Sequence, residues 1–410
     1  MGTAISIGQT GLVATSKQLD VIGNNLANSN TVGFKTNSTL FASMMNQGLS
    51  SFSALSVGQG VVVSSLPTQF SQGPVENTGN VTDMAIDGEG FFIVNSQSVG
   101  TMYTRAGAFH VDKDNNLVDI RGYNVQGYSI MSGAAGTVPT NIVLEKAMDA
   151  TTTTEISFGA NLNESTATGG KFEVSQNVYD SRGASHTLTL IFEKAAANGT
   201  WNVSGSFDGV TNGVAVSTAT VVFDATGNLT SPAADATITI NGAHADIIPL
   251  LKGATIGTAG VVDWNLVTDT TRKLTGYASE SAVRSLYSDG FASGELRSLS
   301  IDNKGIISGV YTNGQILKLY QVALANFLDQ SSLAKSGNYF LETTASGQAI
   351  VNRAGTGGLG DIQGNALEIS NTDVSKEFIS MITAQRAYQA NAKVITTADN
   401  MLAELMNIKR

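Results

Sequence analysis

The chain has 410 residues, 42% of them hydrophobic, which is enough for two or three domains with real cores. Its 23 Lys and Arg against 33 Asp and Glu give a net charge of -10 with no basic run, which argues against nucleic acid or an anionic membrane as partner. There is no Cys, so disulfide and thiolate chemistry are excluded, and no apolar stretch has the length of a membrane span.

At the N-terminus Ile5, Leu12, Leu19 and Leu26 fall seven apart and Ile22 fills the intermediate position, so residues 1–30 are expected to form a helix with one apolar line. Lys17, Asp20 and Lys35 are the only charged residues before Glu76. An isolated surface helix keeps a charged outer face, so this one needs covering on several sides. Gly8, Gly11 and Gly23 each cost about 1 kcal/mol relative to Ala, which leaves the helix marginal until it packs against neighbours. The opening residues also lack a basic region followed by an apolar one, so an ordinary secretory signal is not expected and export would use another route. Residues 31–75 are rich in Ser, Gly, Gln and Asn and read as an extended connector.

From Glu76 the pattern changes to alternating segments such as GFFIV at 90–94, closed by Asp and Asn turns as in antiparallel hairpins. One device recurs: VDKDNNLV at 111–118, FDATGNLT at 223–230 and IDNKGIIS at 301–308 each read as a hairpin tip. Residues 151–284 shift towards Thr, Ala, Val and Gly and hold both tryptophans, which predicts an outer β domain inserted into a discontinuous body of residues 76–150 and 285–354. GTGGLG at 355–360 fits the dinucleotide-binding spacing but lacks the flanking strand and helix, so residues 355–370 read as a return connector. Residues 371–410 contain no Gly or Pro. There Val374, Met381, Tyr388, Ile395 and Leu402 fall seven apart and Phe378 lies four beyond Val374, predicting a long second helix.

The fold class expected is thus mixed: coiled-coil-like helical termini, paired with one another, and two mainly antiparallel β domains nested between them. Pairing of the helices within one chain and pairing between chains both remain open. Asp112, Asp114 and Asn116 imitate the first ligands of a calcium loop, but Leu117 stands where Gly is required, so no metal or other cofactor is expected. His110, His186 and His244 are isolated, no nucleophile elbow accompanies them, and no catalytic residue is assigned.

NNLANSNTVGFK at 24–35 resembles the N-terminal motif of the flagellar rod and hook family of axial proteins, and residues 377–410 resemble its C-terminal helix. DGEGFFIV at 87–94 and residues 103–128 are similar to the family's shared body, while NVYDSRGASHTLTLIFEK at 177–194 resembles the outer domain of its hook members. The motif positions carried over are Asn24, Asn25, Asn28, Gly33, Phe34, Lys35, Gln385, Arg386 and Tyr388. The resemblance implies a non-enzymatic, extracellular structural subunit of the flagellum that forms a homopolymer through the heptad-spaced residues of both ends. It also implies contact with the distal rod protein, the hook cap protein, the hook–filament junction protein and the export apparatus. Small residues such as Ala27, Ala384, Ala387 and Ala392 would let subunits approach closely, with the β domains outside an inner tube of helices. A rigid distal rod protein of the same family and a secreted β-rich binding protein are the alternatives.

Overall fold

The computed structural model describes residues 2–44, 58–130 and 136–408. Residues 45–57 of the expected connector lie outside the described residues. The chain forms two compact units, one comprising Met1–Leu144, Ser298–Val310 and Ile316–Arg410 and the other Glu145–Arg297 with Tyr311–Gln315.

In the first unit a 26-residue N-terminal helix, Gly2–Ala27, packs against a 35-residue C-terminal helix, Val374–Ile408. Gly8 faces Ile395 while Asn25 reaches Glu377, so the two run antiparallel. Buried positions on the N-terminal helix are Gly8, Gly11, Ala14, Thr15, Ile22 and Asn25, spaced at helical intervals that keep one face turned to the partner helix. On the C-terminal helix the buried residues are Ala384 and Ala398. Small side chains on both sides explain how the axes come together.

The body sheet is organised by the 11-residue strand Ile316–Asn326, which pairs with Ile306–Tyr311, Asn124–Ser129, Phe91–Ser96 and Ile350–Arg353, all antiparallel. Side chains alternate across a strand. Phe92, Val94, Val322 and Leu324 accordingly fill one apolar layer, and Phe91, Ile93, Ala323 and Ala325 fill another on the opposite face. The segment read in the sequence as the return connector forms strands that pair with the start of the body: Ala366–Glu368 with Val75–Asn77, and Asp361–Gly364 with Met84–Asp87. Leu40–Ser43 likewise forms an antiparallel pair with Val61–Ser65. Their shortness hid the pairing, although Met84, Ile86 and Ile362 bury their side chains in the body's apolar layer.

The second unit stacks a six-stranded sheet, which includes Glu155–Asn161, on a five-stranded antiparallel meander that begins with Lys171–Tyr179. Between them Trp201, Trp264, Phe158 and Phe192 are almost wholly buried, with Phe158 stacked on Trp264 at 5.2 Å. Where the insertion begins and ends, Thr151 and Phe291 exchange both main-chain hydrogen bonds, each at 3.0 Å. Ala147 and Met148 pair with Glu295 and Gly294, which carries the unit beyond the expected limits of 151 and 284.

All three anticipated hairpin tips use one arrangement. Asp112 Oδ1 accepts from the N–H groups of Asp114 and Asn116, Asp224 Oδ1 from Thr226 and Asn228, and Asp302 Oδ1 from Lys304 and Ile306. The third residue after the Asp has positive φ, at Asn115 (66°), Gly227 (82°) and Gly305 (69°), which is why Gly or Asn stands there. The same turn occurs at Asp119 with Arg121 and Tyr123, and at Asp180 with Arg182 and Ala184.

These carboxylates tie stability to acidity. Thr226's hydroxyl, then the Asn228 N–H, hold Asp224 below the usual carboxylate range; at Asp180 burial pushes upward but is outweighed by bonds from Ala184, Arg182 and His186. The unfolded chain therefore takes up protons first as pH falls, and the stabilisation present at neutral pH disappears below about pH 4. Since both tryptophans lie in the second unit, the urea midpoint read by their fluorescence is expected to drop between about pH 5 and pH 3. Asp224→Asn should flatten that drop, and an equal drop in the variant would remove the turn from the explanation.

Candidate assembly site

The segment after the N-terminal helix is fastened by a buried charge cluster. Lys35 Nζ lies 2.6 Å from Glu368 Oε1 and donates to Ser71 O at 2.7 Å, while Arg105 Nη1 lies 3.3 Å from Glu368 Oε2. Gly73 N donates to the same carboxylate at 2.8 Å, and Arg105 Nη2 donates to Gly88 O at 2.8 Å. Lys35 and Glu368 side chains have no exposed surface. Burial pushes the Lys35 ammonium down from its ordinary value and Glu368 pulls it back. A buried ion of this kind is tolerated only when its partners are complete.

Residues carried over from the family motif line this region. Gly33 has a φ of +66° and donates its N–H to Glu368 O at 2.7 Å; a methyl group there would come within 2.4 Å of Ala106 N. Phe34 is buried under the Lys335 ammonium, 4.5 Å from the ring centroid. Asn25 is buried, exchanging hydrogen bonds with the main chain of Asn37 and donating to Glu377 Oε1 at 3.2 Å. Asn28 donates to Asn24 O at 2.9 Å and to Asn24 Oδ1, closing the helix end. Gln385, Arg386 and Tyr388 lie on the exposed surface of the C-terminal helix.

The heptad residues divide into two groups. Ile22 is buried, and Ile5, Leu12, Leu19, Leu26, Met381, Ile395 and Leu402 are half-buried. Val374 (41%), Phe378 (49%) and Tyr388 (41%) are exposed, together with Ile379, Ile382, Val394 and Met401 on the same helix. The apolar line of the N-terminal helix thus flanks the helix contact instead of forming it, and the contact itself uses Gly8 and Gly11. Sequence reasoning counted those glycines only as helix-weakening. It also missed Glu368 and Arg105, although a lone Lys35 in an uncharged stretch was the signal for a buried acidic partner. Within the described residues no group of His, Cys, Asp and Glu is arranged to hold a metal ion. His186 instead spans Asp208 Oδ2 at 2.7 Å and Asp180 Oδ2 at 3.5 Å and stacks on Phe207.

Comparison with known proteins accounts for both ends and the insertion. Residues 5–35 match the model described as Flagella basal body rod protein, residues 119–291 that of Flagellar basal body protein FlaE D2 domain, and residues 363–408 that of Flagellar basal body rod FlgEFG protein C-terminal. The chain is 34% identical to the flagellar hook protein FlgE of Escherichia coli over 429 residues, covering 99% of this chain and 100% of that one. It is 33% identical to FlgE of Borreliella burgdorferi, covering 98% of each. The chain belongs to the flagellar hook protein family. A solved structure of Helicobacter pylori hook protein FlgE2 shares the fold, with a TM-score of 0.53 over 72% of this chain and all of that one at 14% identity. Hook-family proteins are structural, not enzymatic, and the full-length likeness to hook proteins favours this reading over the distal rod alternative. Among the described residues no helix is long and apolar enough to cross a membrane.

Proposed function

We propose that the chain is a structural subunit of the flagellar hook, polymerising through its terminal helices into a curved, flexible tube that passes motor torque to the filament. The observation that carries the reading is the exposed apolar surface of the C-terminal helix, Phe378, Ile379 and Ile382 among it, on a chain of the hook family. In this reading the helices pack in a coiled-coil-like manner into an inner tube, and Leu12, Leu19, Leu26, Tyr388, Ile395 and Leu402 serve contacts between copies. Buried apolar area drives such association. The polymer would be extracellular, reached through the flagellar export apparatus, and would meet the distal rod protein, the hook cap protein and the hook–filament junction protein at its ends. The second unit would tune curvature through polar, Thr- and Gly-rich surfaces that slide, since large apolar patches would lock one geometry.

The test is electron microscopy of the purified chain under polymerising conditions, beside a variant in which a short linker joins Thr151 to Phe291. Those residues are already hydrogen-bonded, so the excision closes without strain. The full chain is expected to give curved tubes and the excised chain straight ones. Absence of any tube from the full chain sinks the proposed function, and curved tubes from the excised chain place curvature outside the second unit.

A further inference from the structure

Two apolar surfaces lie on different helices of the first unit. One is a groove of about 320 Å³ between the N-terminal helix and the Leu40–Ser43/Val61–Ser65 hairpin, lined chiefly by Thr10, Val13, Ala14, Met44 and Val62. Val13 is 60% exposed, Val62 49% and Met44 40%. The hairpin lies tight against the helix, since a methyl group at Gly60 would meet Thr10 Oγ1 at 2.1 Å. The other surface is a ridge on the C-terminal helix, Val374, Phe378 and Ile382 at four-residue steps with Ile379 beside them, all exposed.

We propose that the groove of one copy seats the Val374–Phe378–Ile382 ridge of a second copy of this chain. The proposal rests on the reading of the chain as a homopolymer subunit. Its argument is geometric. Thr10, Val13 and Lys17 lie on the opposite side of the N-terminal helix from Gly8, Thr15 and Ile22, at 100° per residue, so the groove faces away from the chain's own C-terminal helix. The ridge begins beside Asn25, which donates to Glu377, whereas the groove is centred near Val13. Twelve residues at 1.5 Å separate them by roughly 18 Å along the axis. Among the described residues the chain's own ridge does not reach its own groove, and a contact between two different patches of one molecule is heterologous. Contacts of that type do not close on a dimer; they extend into an open filament when the rotation does not return to its start. The axial offset between groove and ridge supplies the step from one copy to the next.

The absence of native Cys makes a direct test available. Full-length Val62→Cys and Ile382→Cys chains, both at exposed positions, are mixed, polymerised and mildly oxidised, then run on a denaturing gel. A disulfide-linked dimer approaching about half of the polymerised protein, the limit for random equal mixing of a head-to-tail contact, is expected from the mixture and from neither chain alone. A single chain carrying both substitutions is expected to give a covalent ladder. The proposal is overturned if tubes form by electron microscopy while the mixture stays monomeric on the gel. It is equally overturned if Val62→Cys links instead to Val394→Cys or Met401→Cys partners. Failure of the unsubstituted chain to polymerise overturns the subunit reading, and the proposal with it.

Discussion

Glu368→Gln is expected to lower the stability of the first unit by about 3–5 kcal/mol, because it leaves Lys35 and Arg105 buried with no counter-charge. The amide still accepts from Gly73 N–H but cannot neutralise either cation. For a unit of this size the calorimetric transition should fall by roughly 10 °C, while the tryptophan signal of the second unit keeps its midpoint. Lys35→Met should cost less than Glu368→Gln, since it leaves one cation facing one anion in place of two facing none. The order of these two losses is the decisive observation. Equal losses, or a loss below about 1 kcal/mol for Glu368→Gln, would mean that packing and main-chain bonds hold the cluster without its charge balance.

Gly8→Leu is expected to abolish polymerisation while the body keeps its melting transition. Even a methyl group at Gly8 comes within 2.8 Å of Ile395 Cγ1, close to the partner's backbone, where the side chain has little room to swing aside. Overpacking of this kind costs about 1–3 kcal/mol, or roughly a 5- to 150-fold rise in the concentration needed for assembly, before the larger side chain is counted. Gly11 is more forgiving, because what its methyl would meet is the end of the Asn391 side chain at 2.7 Å. Gly23 has nothing within 4 Å, and Gly23→Ala should stabilise the helix by about 0.5–1 kcal/mol. Critical concentrations for the three variants, with helix content by circular dichroism, check the series. Polymer from Gly8→Leu at normal concentration would show that the helices separate on assembly.

The helical ends and the Asp-turn hairpins were legible because each rests on local chemistry: heptad spacing without Pro, and an Asp two and four residues ahead of N–H groups. The GFFIV segment was read as a strand, but not that both of its faces are covered, since that depends on which distant strand lies against each. Lys35 and Glu368 are separated by almost the whole chain, and nothing local pairs them. The glycines of the N-terminal helix were seen only through propensity, whose sign reverses once a neighbour lies within contact distance. Residues 40–43 and 61–65 were read as connector because short exposed strands carry little apolar signal. The row Ile5, Leu12, Leu19 and Leu26 lies half-buried beside the contact made inside the chain, as expected of a helix that is wrapped on more than one side.

The body is entered by two lengths of chain, one leaving the N-terminal helix and one entering the C-terminal helix, and Lys35, Glu368 and Arg105 tie both at a single point. A lone covalent link is a swivel: every residue adds two soft bond rotations, and a twist applied at one end is lost in them. Two links knotted together cannot turn about their own axes independently. Rotation imposed on the helices must carry the knot, and the strands behind it, round as one piece.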